Sequence, residues 1–106
     1  MAKDTWIGDV LAGNYNGEEV ELMGWVHRSR GSNKIRFVVL RDSTGHVQCV
    51  VKRDAVGDEA FEAIKTALIE SSVIICGTVQ STEREHGYEI QATSCEIVGG
   101  VNPERP

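Results

Sequence analysis

The sequence predicts a small, mostly-β barrel, and three observations carry that prediction. Five short segments alternate apolar and polar residues with the period-two rhythm of strands. Two of them hold a glycine in their interior, Gly24 and Gly77, the residue that lets a small barrel bend a strand sharply. Between the third and fourth strands the period changes from two to that of a helix.

Taken in order, residues 1–16 read as a helical lead-in. Trp6, Ile7, Val10 and Leu11 form one apolar stripe, with Thr5 or Asp4 as N-cap, and Gly13, Asn14 and Asn16-Gly17 end it. In the first strand Val20, Leu22, Gly24 and Val26 alternate with Glu21, Met23, Trp25 and His27. Arg30-Gly31-Ser32-Asn33 reads as a loop, and a second strand runs from Ile35 to Leu40. The turn Asp42-Ser43-Thr44-Gly45 joins it to a third strand, His46 to Val51, as a hairpin.

From Asp54 to Ser71 the apolar residues Ala60, Phe61, Ile64, Ala67 and Leu68 recur at helical spacing, with Asp58 as N-cap. A fourth strand spans Val73 to Val79. After the turn Arg84-Glu85-His86-Gly87, a fifth spans Tyr88 to Val98. Residues 1–98 therefore form one domain, and residues 99–106 have the composition of a linker. Helix, three strands, helix and two strands is the order of the OB-fold, a partly open five-stranded barrel. An unrelated α+β sheet is the alternative architecture.

The bulk composition agrees. The chain has 106 residues, 41% apolar and 25% charged, which suits one globular domain. No apolar run reaches the ~20 residues of a membrane span, and the N-terminus lacks the layout of a secretory signal. A cytoplasmic protein without membrane association is the expectation. Cys49, Cys76 and Cys95 lie far apart in apolar or alternating runs and read as reduced core thiols.

A net charge of −5 argues at first against a polyanionic partner, but its distribution reverses the argument. Between His27 and Arg53 stand seven basic residues and one acid, Asp42, a local charge of +6 that leaves −11 for the rest of the chain. One basic strip on an acidic body steers a polyanion to the strip and repels it elsewhere. The plainer reading of the strip is a solvated charged face.

OB barrels bind oligonucleotides on the face of strands 2 and 3. If Val38 and Leu40, and likewise Val47, Cys49 and Val51, point inward, then Phe37, Val39 and Arg41 face out beside His46, Gln48 and Val50. Phe37 then offers a stacking platform for an unpaired base, and the Gln48 amide can pair with a base edge such as that of uracil. Arg28, Arg30 and Lys34 can hold phosphates. On the fifth strand Glu89, facing out with Gln91, can accept hydrogen bonds from a guanine edge. The alternative is that the parity is off by one, with Phe37 in the core and Gln48 an ordinary surface residue, because one bulge inverts every later side chain.

Catalytic and metal constellations find no support. His27, His46 and His86 are scattered, no Ser-His-Asp or Cys-His set has a spacing to argue from, and the Gly45 turn opens no helix. Glu59, Glu62 and Glu70 read as a solvated helix face.

The segment Gly24-Trp25-Val26-His27-Arg28-Ser29-Arg30 precedes Phe37-Val38-Val39-Leu40-Arg41-Asp42-Ser43-Thr44-Gly45-His46-Val47-Gln48. Together they resemble the N-terminal anticodon-binding domain of class IIb aminoacyl-tRNA synthetases over about residues 4–98. Gln48-Cys49-Val50-Val51 and Glu70-Ser71-Ser72-Val73 are most similar to the asparaginyl branch, of archaeal or bacterial type. The resemblance implies that Phe37 stacks on the central anticodon uracil and that Gln48 hydrogen-bonds the same base. It implies that Glu89 helps read the first base, and that Arg30 and Arg28 contact the anticodon stem-loop. Lys34, Arg41 and His46 join the candidate RNA-binding residues from the strip and strand parity alone.

The resemblance also implies a tRNA partner, no cofactor for this domain, and ATP with Mg²⁺ in a catalytic domain that these residues do not include. The domain is expected to be monomeric and non-enzymatic. The parent would be a homodimeric, ATP-dependent asparagine–tRNA ligase, unless the chain is a free-standing relative. Other readings are the aspartyl enzyme's domain, a sequence-neutral single-strand binder, and a protein-interaction OB domain whose strip meets an acidic partner.

Overall fold

The computed structural model describes residues 4–82 and 87–101. A two-residue strand, β1 (Asp4–Thr5), is followed by α1 (Ile7–Leu11), β2 (Glu19–Gly31), β3 (Ile35–Asp42) and β4 (Gly45–Lys52). Then come α2 (Arg53–Val56), α3 (Asp58–Lys65), β5 (Ser71–Ser81) and β6 (Tyr88–Val101). The sheet order is β1-β2-β3-β4-β6-β5, and β2 also pairs with β5. That last pairing closes β2 to β6 into the five-stranded OB barrel that the strand order predicts.

Closure depends on β2 serving two partners. Its first half, Glu19 to Trp25, pairs antiparallel with β5, and from Trp25 to Gly31 it pairs with β3. Gly24 lies at the changeover, where an added Cβ would come within 2.3 Å of the Arg41 carbonyl oxygen. Gly77 has the same role in β5: a Cβ there would meet the Gln91 carbonyl oxygen at 2.4 Å, and the β5–β6 register shifts between Cys76 and Gly77. Both glycines are thus required by close backbone approach in a sharply coiled barrel.

The strict alternation expected for the first strand fails at its middle. Trp25 is only 8% exposed although Val26 beside it is fully buried, and the β2–β3 register shifts between Val26 and Arg28. The bulge at His27 resets the parity, so Arg28 and Arg30 face out. The expected loop also shrinks, because Arg30 and Gly31 still belong to β2 and only Ser32 to Lys34 make the turn. There the Ser32 hydroxyl accepts the amides of Lys34 and Ile35.

Both helices are shorter than the periodicity suggests. α1 begins after Trp6, not at a Thr5 or Asp4 cap, because those two residues pair with β2 as β1. Its N-terminus is capped from across the barrel: the Ile7 amide donates to Asp42 Oδ2 and the Gly8 amide to Thr44 Oγ1. The single helix expected over 54–71 is broken at Gly57, whose φ of 95° places it in the left-handed region. Gly57, not Asp58, is the N-cap of α3, since Asp58 turns its carboxylate to Arg53. α3 drives Phe61 and Ile64 into the barrel end and stops at Lys65, leaving Leu68, an expected core residue, 68% exposed.

The core is otherwise the interior set that alternation indicates: Leu22, Val26, Val38, Leu40, Val51, Ile75 and Ile90 are fully buried. Cys49 is buried among them with its thiol pushed far up by desolvation, while Cys95 is half-buried with its thiol raised to about 11 for the same reason. All three cysteines are free thiols. β6 continues through Val101, so the expected linker begins later than residue 99. The turn over 84–86, with His86, and the tail over 102–106 lie outside the described residues. Among the described residues no helix is long and apolar enough to cross a membrane.

Candidate nucleic-acid interface

The outer face of β2, β3, β4 and β6 is built from strand register, which stacks its side chains in rows. One row runs Arg28, Val39, Gln48 and Glu89, each paired with the next across a strand boundary. The row beside it runs Arg30, Phe37, Val50 and Gln91. On the other side Arg41 pairs with His46, and at the far end Ile35 pairs with Lys52. Directly paired residues sit about 5 Å apart and diagonal ones about 7–8 Å. Phe37 is therefore a diagonal neighbour of Gln48, and Gln48 is the direct neighbour of Glu89.

Phe37 is half-buried on this outer face, not in the core, so the off-by-one alternative does not hold. Val50 also lies on the outer face but is only 7% exposed, because its register neighbours Phe37 and Gln91 hem it in. Val50 thus supports the edge of the Phe37 ring. Over that ring lies the Arg30 guanidinium, its central carbon 5.3 Å from the ring centroid, a cation–π contact. The open face of Phe37 therefore already holds one flat, delocalised group of the sort that stacks there.

Beside this platform a cleft of about 200 Å³ opens between Val39, His46, Gln48 and Glu89 on one side and Leu11, Tyr88 and Thr82 on the other. That is smaller than the roughly 300–1,000 Å³ of pockets for drug-sized ligands, and suits a single ring system. The face and the cleft meet along the row of Gln48 and Glu89. Gln91 Nε2 donates to Glu89 Oε1 at 2.9 Å, which fixes the carboxylate from the row of Phe37. His27 and His46 bring their rings within 6.3 Å at the border near Arg41.

The basic strip divides on folding. Arg28, Arg30, Lys34, Arg41 and Lys52 are exposed. Arg36 turns to Ser29, donating to its hydroxyl. Arg53 lies 4.4 Å over the Phe61 ring and is bound by Glu62 and Asp58, which holds the Glu62 carboxyl below its usual range. Lys34 stands apart from the rows, at the β2–β3 turn, where Lys52 and Arg53 line a shallow groove.

Seven of the eight residues singled out from sequence lie on this one surface, and Lys34 lies beyond it at the β2–β3 turn. Gln91 as a partner of Glu89, and the wall of Leu11, Thr82 and Tyr88, were not legible. The wall comes from α1 and the β5–β6 hairpin, which sequence spacing does not bring together. Among the described residues no three His, Cys, Asp or Glu side chains converge as a metal-binding group.

Comparison with known proteins places this face in a family. The tRNA anticodon family of OB-fold nucleic acid binding domains matches residues 20–98. The chain belongs to that family. This OB-fold nucleic acid binding domain is 44% identical over 92 residues to an asparagine–tRNA ligase of Pelotomaculum thermopropionicum, a match covering 86% of the chain and 21% of the relative. It is 42% identical over 107 residues to an aspartate–tRNA(Asp/Asn) ligase of Methanopyrus kandleri, covering 100% of the chain and 25% of the relative. Its fold superposes on asparaginyl-tRNA synthetase from Pyrococcus horikoshii, solved with asparaginyl-adenylate, with a TM-score of 0.85 at 37% identity. That match covers 96% of this domain and 24% of the synthetase chain. The domain thus spans about a fifth to a quarter of the length of these relatives.

Proposed function

We propose that this domain is the anticodon-recognition module of an asparaginyl-tRNA synthetase, and that it binds the anticodon loop without chemistry of its own. The observation that carries the reading is the register: the stacking ring of Phe37 lies diagonal to the Gln48 amide, which stands next to the Glu89 carboxylate. A base laid on Phe37 turns its edge toward Gln48, whose amide complements the donor and acceptor of uracil. Glu89, one strand further, faces the neighbouring base and suits the paired N–H donors of a guanine edge. Arg28, Arg30, Lys34 and Arg41 hold phosphates around the loop, and His46 borders them.

The parent activity in this reading is ATP-dependent ligation of asparagine to tRNA, with ATP and Mg²⁺ bound by a separate catalytic domain. Dimerisation resides in that domain too, and the OB domain by itself is a cytoplasmic monomer. The relatives' names support the asparagine assignment. The relative from Methanopyrus, which matches the whole chain, favours a second reading, the domain of an aspartyl enzyme. The two amino acids' anticodons share their first two bases, so only the third base separates these readings.

The test is titration with anticodon stem-loops that differ only at the central base. The expected result is tighter binding with uracil than with cytosine, and equal affinity for the two overturns the proposal. A second pair differing only at the third base decides between asparagine and aspartate. Competition by an oligo-dT as effective as a stem-loop would indicate a sequence-neutral single-strand binder instead.

A further inference from the structure

Gln91 sits at the end of the Phe37 row yet sends its side chain along β6 to the other row. Its Nε2 donates to Glu89 Oε1 at 2.9 Å. The orientation of the amide is dictated by chemistry, since an ionised carboxylate only accepts and must meet the NH₂ end. Two consequences follow. One carboxylate oxygen is occupied and the group is held against rotation, leaving the second oxygen to face outward. The Gln91 carbonyl oxygen takes no part in that bond and is left as a second acceptor.

By register the direct neighbours of Glu89 are two neutral amides, Gln48 on β4 and Gln80 on β5, and the nearest exposed cation in its row, Arg28, lies three strands away. Val50, the residue beside Gln91 on β4, offers no polar contact. Without Gln91 the carboxylate loses the hydrogen bond that sets its direction, and recognition of a base edge by a carboxylate requires a fixed direction.

We propose that Gln91 is a positioning residue that aims the Glu89 carboxylate, setting a preference for a base whose edge presents paired N–H donors, as guanine does. The inference rests on the anticodon reading above and adds to it a determinant of selectivity at the first anticodon base.

The test compares the wild-type domain with Gln91→Leu and Gln91→Glu on stem-loops varied separately at the first and central bases. Gln91→Leu is expected to lower the preference for guanine at the first base by about tenfold, the worth of one well-made pair of base-edge hydrogen bonds. Its preference for uracil at the central base should be unchanged. Gln91→Glu faces Glu89 with a second carboxylate. Guanine preference should then be lost at pH 8 and return toward pH 5, as a proton on the introduced carboxyl lets it donate to the Glu89 carboxylate as the Gln91 amide does. The other charged groups on or beside the face are Arg28, Arg30, Lys34, Arg41, Lys52, His27 and His46, with Lys52 diagonal to position 91 by register, and the wild-type profile over the same pH range is the reference.

A Gln91→Leu domain that keeps full guanine preference overturns the proposal, and so does a wild-type domain that selects central uracil but shows no preference at the first base. Loss of central-base selectivity in the wild-type domain instead overturns the anticodon reading itself. A Gln91→Leu change acting only through folding would weaken all loops alike, and that outcome also counts against a positioning role.

Discussion

At the scale of single residues, the proposed binding face turns on one phenylalanine. Phe37 lies outside the core, so its removal should cost affinity and little stability. Phe37→Ala is expected to weaken stem-loop binding by roughly 1–3 kcal/mol, measured by fluorescence anisotropy, while the denaturation midpoint moves little. A large loss of stability with unchanged affinity would place the ring's role in the fold. Alternation offered two parities for Phe37 and Gln48, the outward one holds because no bulge intervenes in β3 or β4, and their expected roles came from the family resemblance. Arg28 and Arg30 follow the same rule only after the bulge at His27, which alternation does not reveal. Val50 was assigned the right face, but its burial depends on the size of its neighbours across two strands, a three-dimensional property. The contact from Gln91 to Glu89 was one rotamer choice beyond what spacing conveys.

At the scale of elements, Asp42 ties the β3–β4 turn to α1. Its Oδ1 accepts the amides of Thr44 and Gly45 and the Thr44 hydroxyl, and its Oδ2 accepts the Ile7 amide. Asp42→Ala strands these donors in a site only 5% exposed. The expected cost is about 2 kcal/mol, lowering Tm by roughly 10 °C. Asp42→Asn should cost nearly as much, because its NH₂ must face a donor on one side or the other. Calorimetry checks both, and an Asn variant as stable as wild type would show that one oxygen suffices. The turn was legible as a hairpin from Asp42 to Gly45, yet its second task was not, since the helix it caps lies 35 residues away in sequence. The same limit explains the helices. Local period located both, but β1 pairing took Asp4 and Thr5 from α1, and Gly57 broke the longer stretch where a left-handed φ was needed. The barrel itself was legible because five alternating strands and two interior glycines are local signals, and their order then admits few closures.

At the scale of the whole molecule, charge is segregated. The chain carries −5 overall, yet five exposed cations, Arg28, Arg30, Lys34, Arg41 and Lys52, stand on or beside one face. An acidic body weakens encounter with a polyanion at every other orientation, so under the proposed function the strip would guide the loop onto the rows of Phe37 and Gln48. On that reading the loop's phosphates would release counterions where Arg28, Arg30, Lys34 and Arg41 meet them. For single strands each such contact contributes about −0.7 to the slope of log affinity against log salt, and four give about −3. Raising the salt from about 50 to about 200 mM should therefore weaken stem-loop binding by roughly 50-fold, chiefly through a slower association rate. Arg28→Ala combined with Arg41→Ala should halve the slope for every loop sequence, whereas Phe37→Ala should lower affinity and leave the slope unchanged. A slope near zero in the wild-type domain would mean that the strip is only a solvated face. A steep slope that Phe37→Ala also flattens would mean that stacking and phosphate contact cannot be separated, and that the loop docks only as a rigid whole.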